Sequence, residues 1–515
     1  MKKPVKLGLW LLAFAGLAML GLWLEHERAK ARLAAFKAQL VAKGEKLAIA
    51  DHVPKLPPAL SNAAPDFITV AKRLPEFNSE WYAPRMHLVA PSRARVMWMQ
   101  PELPTDKFPD LWPELCAYRE LNRETFSNLV TLAERPKMVF DLKLESGADL
   151  LLPHLSDLKK ANMLLGYAAM VDLHQGQPAE AFANWQTCVR VGGRFHEALL
   201  ISQLVRMAMG FNALTVTWEA LQTNAWSPVQ LAAIQADWQA FEGASMAETA
   251  WSMECVFGDI EAKRMRTDSK RANRYLEFLG SGGMAFGSTS ASFWDDLKDD
   301  PEKAAQRVGT AAHLFAWRGW LSYSDEQLSL QHAQALLDGA RTTTRSNSYQ
   351  LGKAVTATAM SRLPKASRWF ILSRDSVFFT PTTQADRFAK FETCHRLTFT
   401  AIALHRHRLK HGKFPASLGA LVPEFLAEVP RDFMDGQPLR YQLQPDGQFR
   451  LWSVGEDFKD DGGDPTPVGA PSINPFDWLA GRDWVWPQAA SEAEVAAYHA
   501  ELAAKRAVTP PKPPP

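Results

Sequence analysis

Leu158–Gly176 reads LKKANMLLGYAAMVDLHQG, and its periodicity sets the class of the fold. Ala161, Leu164, Leu165 and Ala168 recur at spacings of three and four, which is one face of a helix. Gly176 ends the run. Pro178 then opens a second helix in the first turn, where a missing N–H leaves no intrahelical bond unmade. That helix carries Phe182, Trp185 and Val189 on one side, and a longer one follows with Leu200, Leu204, Met207, Phe211, Leu214, Trp218 and Leu221. Ser227-Pro228-Val229-Gln230 supplies an N-cap, a first-turn proline and a capping-box glutamine, with Leu231, Ile234 and Trp238 in register behind it. A mainly α protein is expected.

The segment HQGQPAEAFANW, from His174 to Trp185, resembles the turn and second helix of a tetratricopeptide unit. No second copy follows at the period of about 34 residues such repeats keep. The expectation is therefore a tetratricopeptide-like or irregular helical body over 66–384. Within it, Gly280 to Ser292 reads as a loop, and no lysine follows its glycines as a phosphate-binding P-loop requires.

Toward the N-terminus, Leu7–Leu24 reads LGLWLLAFAGLAMLGLWL, an uncharged run spanning roughly 27 Å as a helix, close to a bilayer core. Trp10 and Trp23 stand near its ends, where interfacial aromatics sit. Lys2, Lys3 and Lys6 before it favour a cytoplasmic N-terminus, although Arg28, Lys30, Arg32 and Lys37 after it bring the basic count close to even. A cleaved signal peptide would carry a shorter apolar region and an A-x-A-like site. Residues 1–24 are accordingly expected to be an uncleaved single-pass anchor in the cytoplasmic membrane, with the body facing the periplasm or cell exterior. Leu33, Phe36 and Leu40 continue the helical stripe, as a membrane-surface or dimerising stalk or as a helix packed on its own domain. The proline-punctuated Val53–Pro65 completes a stalk and connector over 25–65.

Toward the C-terminus, Phe388 to His411 has a strong helical pattern that ends in HRHRLKHGKFP. Leu439 to Leu443 and Phe449 to Val454 read as two strands joined by Pro445-Asp446-Gly447, a favoured hairpin connection. The end of the chain, 488–515, reads as a helix from Glu492 to Ala507 and a proline-rich tail from Thr509.

The order H-G-x-F-P, S-L-x-x-L-V-P, V-P-x-D, D-G-x-P-L-x-Y, S-V-G-x-D and D-D-G-G resembles the C-terminal part of type II secretion major pseudopilins. The resemblance covers roughly Phe388 to Asp464 and implies a small α+β module over 385–487. The glycine-phenylalanine processing junction of a prepilin is absent, and more than three hundred residues separate Leu24 from Phe388. Taken whole, the chain resembles uncharacterised single-span bacterial envelope proteins. These combine an anchor, a G-E-K-L-A-I-A-D-like segment (Gly44 to Asp51), an S-N-A-A-P segment (Ser61 to Pro65), a helical middle and a pseudopilin-like end.

Asp457, Asp460, Asp461 and Asp464, with Gly462 and Gly463, form a dense oxygen-bearing loop. Calcium takes six to eight oxygens, so these four aspartates are the candidate metal ligands and calcium the candidate cofactor. Calcium binding in the equivalent loop is also what the pseudopilin resemblance implies. His405, His407 and His411 lack the glutamate of H-E-x-x-H, and cations crowding a helix C-terminus before Gly412 explain them better. No nucleophile elbow or S-x-x-K motif stands in a credible context, because Ser361 to Lys365 breaks the latter's spacing.

Bulk properties agree. The chain has 515 residues, 47% apolar and 22% charged, with 58 basic against 56 acidic groups, so nothing marks a nucleic-acid footprint. Four dispersed cysteines, Cys116, Cys188, Cys255 and Cys394, are expected to be free thiols, and eighteen tryptophans to be packing anchors. The functional expectation is a membrane-anchored extracytoplasmic scaffold or assembly protein without evident catalytic activity, partnered by the bilayer and other proteins. An accessory part of a secretion or pilus-like apparatus, or an envelope hydrolase with a dispersed site, are the alternatives.

Overall fold

The computed structural model describes residues 3–75, 87–90, 93–95, 112–272, 301–367, 369–373, 381–466, 468, 479, 481–489 and scattered positions of 493–504. The loop at Gly280–Ser292 and the proline-rich tail lie outside the described residues, as does most of the helix expected from Glu492.

Helices dominate. They are α1 (Lys3–Ala42), α2 (Ala64–Ala71), α3 (Trp112–Leu121), α4 (Arg123–Leu132), α5 (Pro153–His174), α6 (Pro178–Arg194) and α7 (Leu200–Ala220). After them come α8 (Pro228–Gln239), α9 (Met246–Thr267), α10 (Pro301–Ala316), α11 (Ser322–Ser346), α12 (Tyr349–Ser361) and α13 (Pro381–His411). A π-helical turn, Trp317–Leu321, joins α10 to α11. The strands β3 (Arg440–Leu443), β4 (Phe449–Ser453) and β5 (Trp484–Val485) form an antiparallel sheet near the C-terminus, with Tyr441 opposite Leu451 and Trp452 opposite Val485. A second small sheet sets β1 (His87–Ala90) antiparallel to β2 (Arg93–Arg95), which pairs in parallel with β6 (Gln488–Ala489).

The sequence signals act as expected in the helical layer. Gly176 takes φ +70° between α5 and α6, a left-handed conformation that glycine adopts without steric cost. Ser227 and Gln230 exchange the reciprocal capping-box bonds at the start of α8, at 2.9 and 3.3 Å. Tryptophans are the anchors of the core: Trp185, Trp218, Trp238, Trp317, Trp484 and Trp486 are all fully buried. Thr217 Oγ1 accepts from the indoles of both Trp185 and Trp238, at 2.8 and 3.0 Å, so one hydroxyl satisfies two buried donors from α6 and α8. A single apolar cluster runs from Phe67 and Phe126 through these helices to Phe391 and Leu404 of α13 and on to Leu451 of β4. The C-terminal sheet thus shares its core with the helical body.

The motifs that flank the connector also have structural work. Asn62 Oδ1 accepts from the amides of Ala64 and Val139 while its Nδ2 donates to Val139 O, tying the S-N-A-A-P turn to the strand-like 137–139 segment. Pro65 sits in the first turn of α2. The run Leu7–Leu24 falls in the first part of α1, where the side chains at 7–9, 11, 12 and 15 lie outside the described residues. Among the described residues no helix is long and apolar enough to cross a membrane.

Candidate functional site

The N-terminal helix divides into two parts by its surroundings. From Trp10 to Leu24 its described apolar side chains face solvent; Trp10 is 75% exposed and Phe14 72%. From Ala29 onward the same helix docks on the body: Ala29, Leu33 and Leu40 are buried, the last against Cys255 of α9 and Leu330 of α11. The stripe of Leu33, Phe36 and Leu40 is therefore packed on its own body.

Charge fixes that docking. Lys37 Nζ bonds to both Asp259 of α9 and Glu326 of α11, and Arg266 reaches Glu326 Oε2 at 2.6 Å. Burial pushes the Glu326 carboxyl up in pKa against the pull of Arg266 and Lys37. Past the helix end, Glu45 takes Arg341 on both oxygens and Gln334 at 2.9 Å, while Arg341 also reaches Glu248 at 3.0 Å. Burial opposes ionisation of Glu45, but the Arg341 and Gln334 bonds outweigh it and hold its carboxyl below the usual range.

In the acidic loop three of the four candidate ligands, Asp457, Asp460 and Asp464, accept hydrogen bonds within the loop or from its neighbours. Asp460 Oδ1 accepts from Trp452 Nε1 at 3.0 Å and Gly462 N at 3.1 Å, and its Oδ2 faces Arg440 at 3.4 Å. Asp464 accepts from the amide and hydroxyl of Thr466, and Asp457 from the amide of Lys459. The loop is organised by another acid, Asp483. Its buried carboxylate receives the amides of Asp461, Gly463 and Asp464 at 3.4, 2.7 and 3.2 Å. Gly463, at φ +76°, permits this inward turn. Among the described residues no three histidine, cysteine or acidic side chains are placed to share a metal ion.

The histidines at the end of α13 belong to its termination. Gly412 takes φ +74° and its amide bonds to Arg408 O at 2.8 Å, while His407 Nδ1 lies 3.0 Å from Lys413 O. His405 is enclosed by Phe414 and Phe449, and burial, aided by Arg408, pushes its pKa down to about 3.

Two arrangements escaped the sequence reading because their members are distant in the chain. His154, Glu197 and Ser202 form a buried chain, with His154 Nε2 2.8 Å from Glu197 Oε1 and Ser202 Oγ donating to Glu197 Oε2 at 2.5 Å. The carboxylate stands between the other two, so the imidazole cannot take the serine proton directly as nucleophile activation requires. Similarly, Asp325 accepts from Trp317 Nε1, the amides of Ile371, Leu372 and Ser373, and Ser373 Oγ, clasping 371–373 to α11.

A cavity of about 240 Å³ lies among α9, α11, α12 and α13. Its walls are small and apolar: Ala244, Ala247, Ala340, Ala357, Ala385 and Ala389 surround it, with Trp251 and Phe388 as larger faces. Gly339 and Gly352 let α11 and α12 approach closely here; a Cβ on Gly352 would stand 2.5 Å from Gly339 O. Polar groups enter at one edge, where Asp386 Oδ1 accepts from Tyr349 Oη at 2.6 Å and Lys353 Nζ at 3.2 Å. Burial pushes the thiols of Cys188 and Cys255 up to about 12, and none of the four cysteines is in a disulfide. No family model matches the chain, and no curated protein or solved structure shows significant similarity to it.

Proposed function

We propose that this chain is a membrane-anchored scaffold of the bacterial envelope, held by the first part of α1 and presenting a helical body just outside the bilayer. The carrying observation is the change of surroundings along one continuous helix. The uncharged run Leu7–Leu24 leaves Trp10, Phe14, Leu17 and Trp23 exposed, and the continuation of the helix is pinned to the body by Lys37 and by Leu33 and Leu40. An apolar surface of that size is costly in water and is relieved by lipid. Because the helix does not break between the two parts, the body would be held at a set height and tilt, which suits assembly more than free reach. The apolar cavity, with one polar edge, gives the body a recess of the kind that receives a hydrophobic group of a partner.

A second reading, an accessory component of a secretion or pilus-like apparatus, draws support from the order of elements after Pro381. A long helix, an antiparallel hairpin and an acidic glycine-rich loop follow one another there, as the pseudopilin resemblance implies. The exported topology is tested by labelling engineered single cysteines with a membrane-impermeant maleimide in cells whose outer membrane is permeabilised. A cysteine at exposed Val229 should react before lysis and one at Lys2 only after it; the reverse order would overturn the exported orientation.

A further inference from the structure

Beyond the apolar run, α1 and the body enclose an open cleft of about 450 Å³. Lys30 and Lys37 of α1 face Lys263 and Arg266 of α9 across it, with Tyr323 and Leu33 completing the walls. Four cations line the cleft and no acidic side chain does. Two carboxylates lie behind it: Asp259, which takes Lys37 and Lys263, and Glu326, which takes Lys37 and Arg266. Four positive charges against these two leave an excess of two. Among the described residues Lys30 forms no ion pair, and Arg266 Nη1 is buried without a hydrogen-bond partner. The guanidinium is held in place by stacking on Tyr323, its carbon 4.5 Å from the ring centre.

We infer that this cleft binds the phosphate of an anionic phospholipid headgroup, an inference that rests on reading α1 as a membrane anchor. Position supports it. Lys30 lies six residues past Leu24, about 9 Å along the helix, and helical side chains lean toward the N-terminus, here toward the bilayer. The headgroup layer reaches some 5–8 Å beyond the hydrocarbon, so the mouth of the cleft meets it. Chemistry agrees: the exposed, unpaired Lys30 ammonium, with Lys263 across the cleft, is a phosphate ligand, and basic groups beside a span attract anionic lipid. Leu33 and Ala34 provide an apolar floor that a glycerol backbone would use and a free phosphate would not.

The test uses the full chain in nanodiscs of phosphatidylcholine alone, of phosphatidylcholine with phosphatidylglycerol, and of phosphatidylcholine with added inorganic phosphate. Phosphatidylglycerol should raise Tm by about 2–4 °C, as a specifically bound ligand does. The Lys30→Gln/Lys263→Gln variant should lose that rise, and a Lys43→Gln/Lys46→Gln variant, altered at exposed lysines away from the cleft, should keep it. Inorganic phosphate should give no rise; a rise with phosphate and none with phosphatidylglycerol would make the source a soluble anion and overturn the lipid assignment. Incorporation without any dependence on phosphatidylglycerol would overturn the site while sparing the anchor. Failure to enter any nanodisc would overturn both.

Discussion

Lys37 of α1 and Glu326 of α11, 289 positions apart in the chain, form an ion pair in which the carboxylate is almost wholly withdrawn from water. Asp259, Lys263 and Arg266 complete a five-membered network around them. A charge buried this way is stabilised only while its partners remain, so the network registers the helix against the body at one position.

Removing one partner should therefore loosen the mount. Lys37→Ala is expected to lower unfolding free energy by about 1–3 kcal/mol, less than a fully buried pair because Arg266 still reaches Glu326. Arg32→Ala, which breaks only the exposed pair with Glu25, should leave stability unchanged. Denaturant unfolding measures both, and limited proteolysis should show residues 25–42 cut faster in the Lys37 variant alone. Equal behaviour of the two variants would show that the network does not hold α1.

The hydroxyl shared by two indoles gives a second expectation. Thr217→Val keeps the shape of the side chain but strands the N–H groups of Trp185 and Trp238. Each buried donor left unsatisfied costs about 1–3 kcal/mol, so a total loss of about 2–6 kcal/mol is expected in the same assay. A loss no larger than that of an exposed Thr→Val change would show the indoles find other acceptors.

Acid sensitivity should trace in part to His405. Its folded pKa is pushed down to about 3 from 6.5, so the unfolded chain binds the proton more readily. Its contribution is fully present above pH 6.5 and is lost as pH falls from there through about 3. His405→Phe should flatten the decline in stability across that window, by on the order of 1 kcal/mol near pH 5. An unchanged pH profile would mean the ring titrates normally in the folded protein.

For the acidic loop, Asp483→Asn should destabilise more than Asp457→Ala, because three loop amides converge on the Asp483 carboxylate and only one bond depends on Asp457. Calcium, compared with chelator, should leave Tm unchanged. A calcium-dependent rise abolished by Asp457→Ala and Asp461→Ala would show that the loop rearranges into a cation site.

Local rules carried the legible part of the fold. Helix α5 and its end at Gly176, the capping box of α8, the stop at Gly412 and the β3–β4 hairpin each depend on residues within a few positions of one another. The two-residue strand β5 was illegible because Trp484-Val485 is too short for any period to show, and its pairing with β4 is set across about thirty residues. Asp483 escaped notice for the same reason: the aspartates dense in sequence drew attention, while the one that organises the loop lies some twenty residues on. The Gly339–Gly352 approach that shapes the cavity requires the α11–α12 crossing, which no single-helix pattern encodes. The buried Asp325 clasp and the Lys37 network likewise exist only in three dimensions.

The anchor itself is most directly tested by fractionation. Membranes carrying the full chain, or the chain lacking residues 1–24, are washed with high salt and then with alkaline carbonate. The full chain should remain in the pellet through both washes, and the shortened chain should appear in the soluble fraction with a cooperative unfolding transition. Release of the full chain by carbonate, or retention of the folded shortened chain in the pellet, would contradict a body held by the first part of α1.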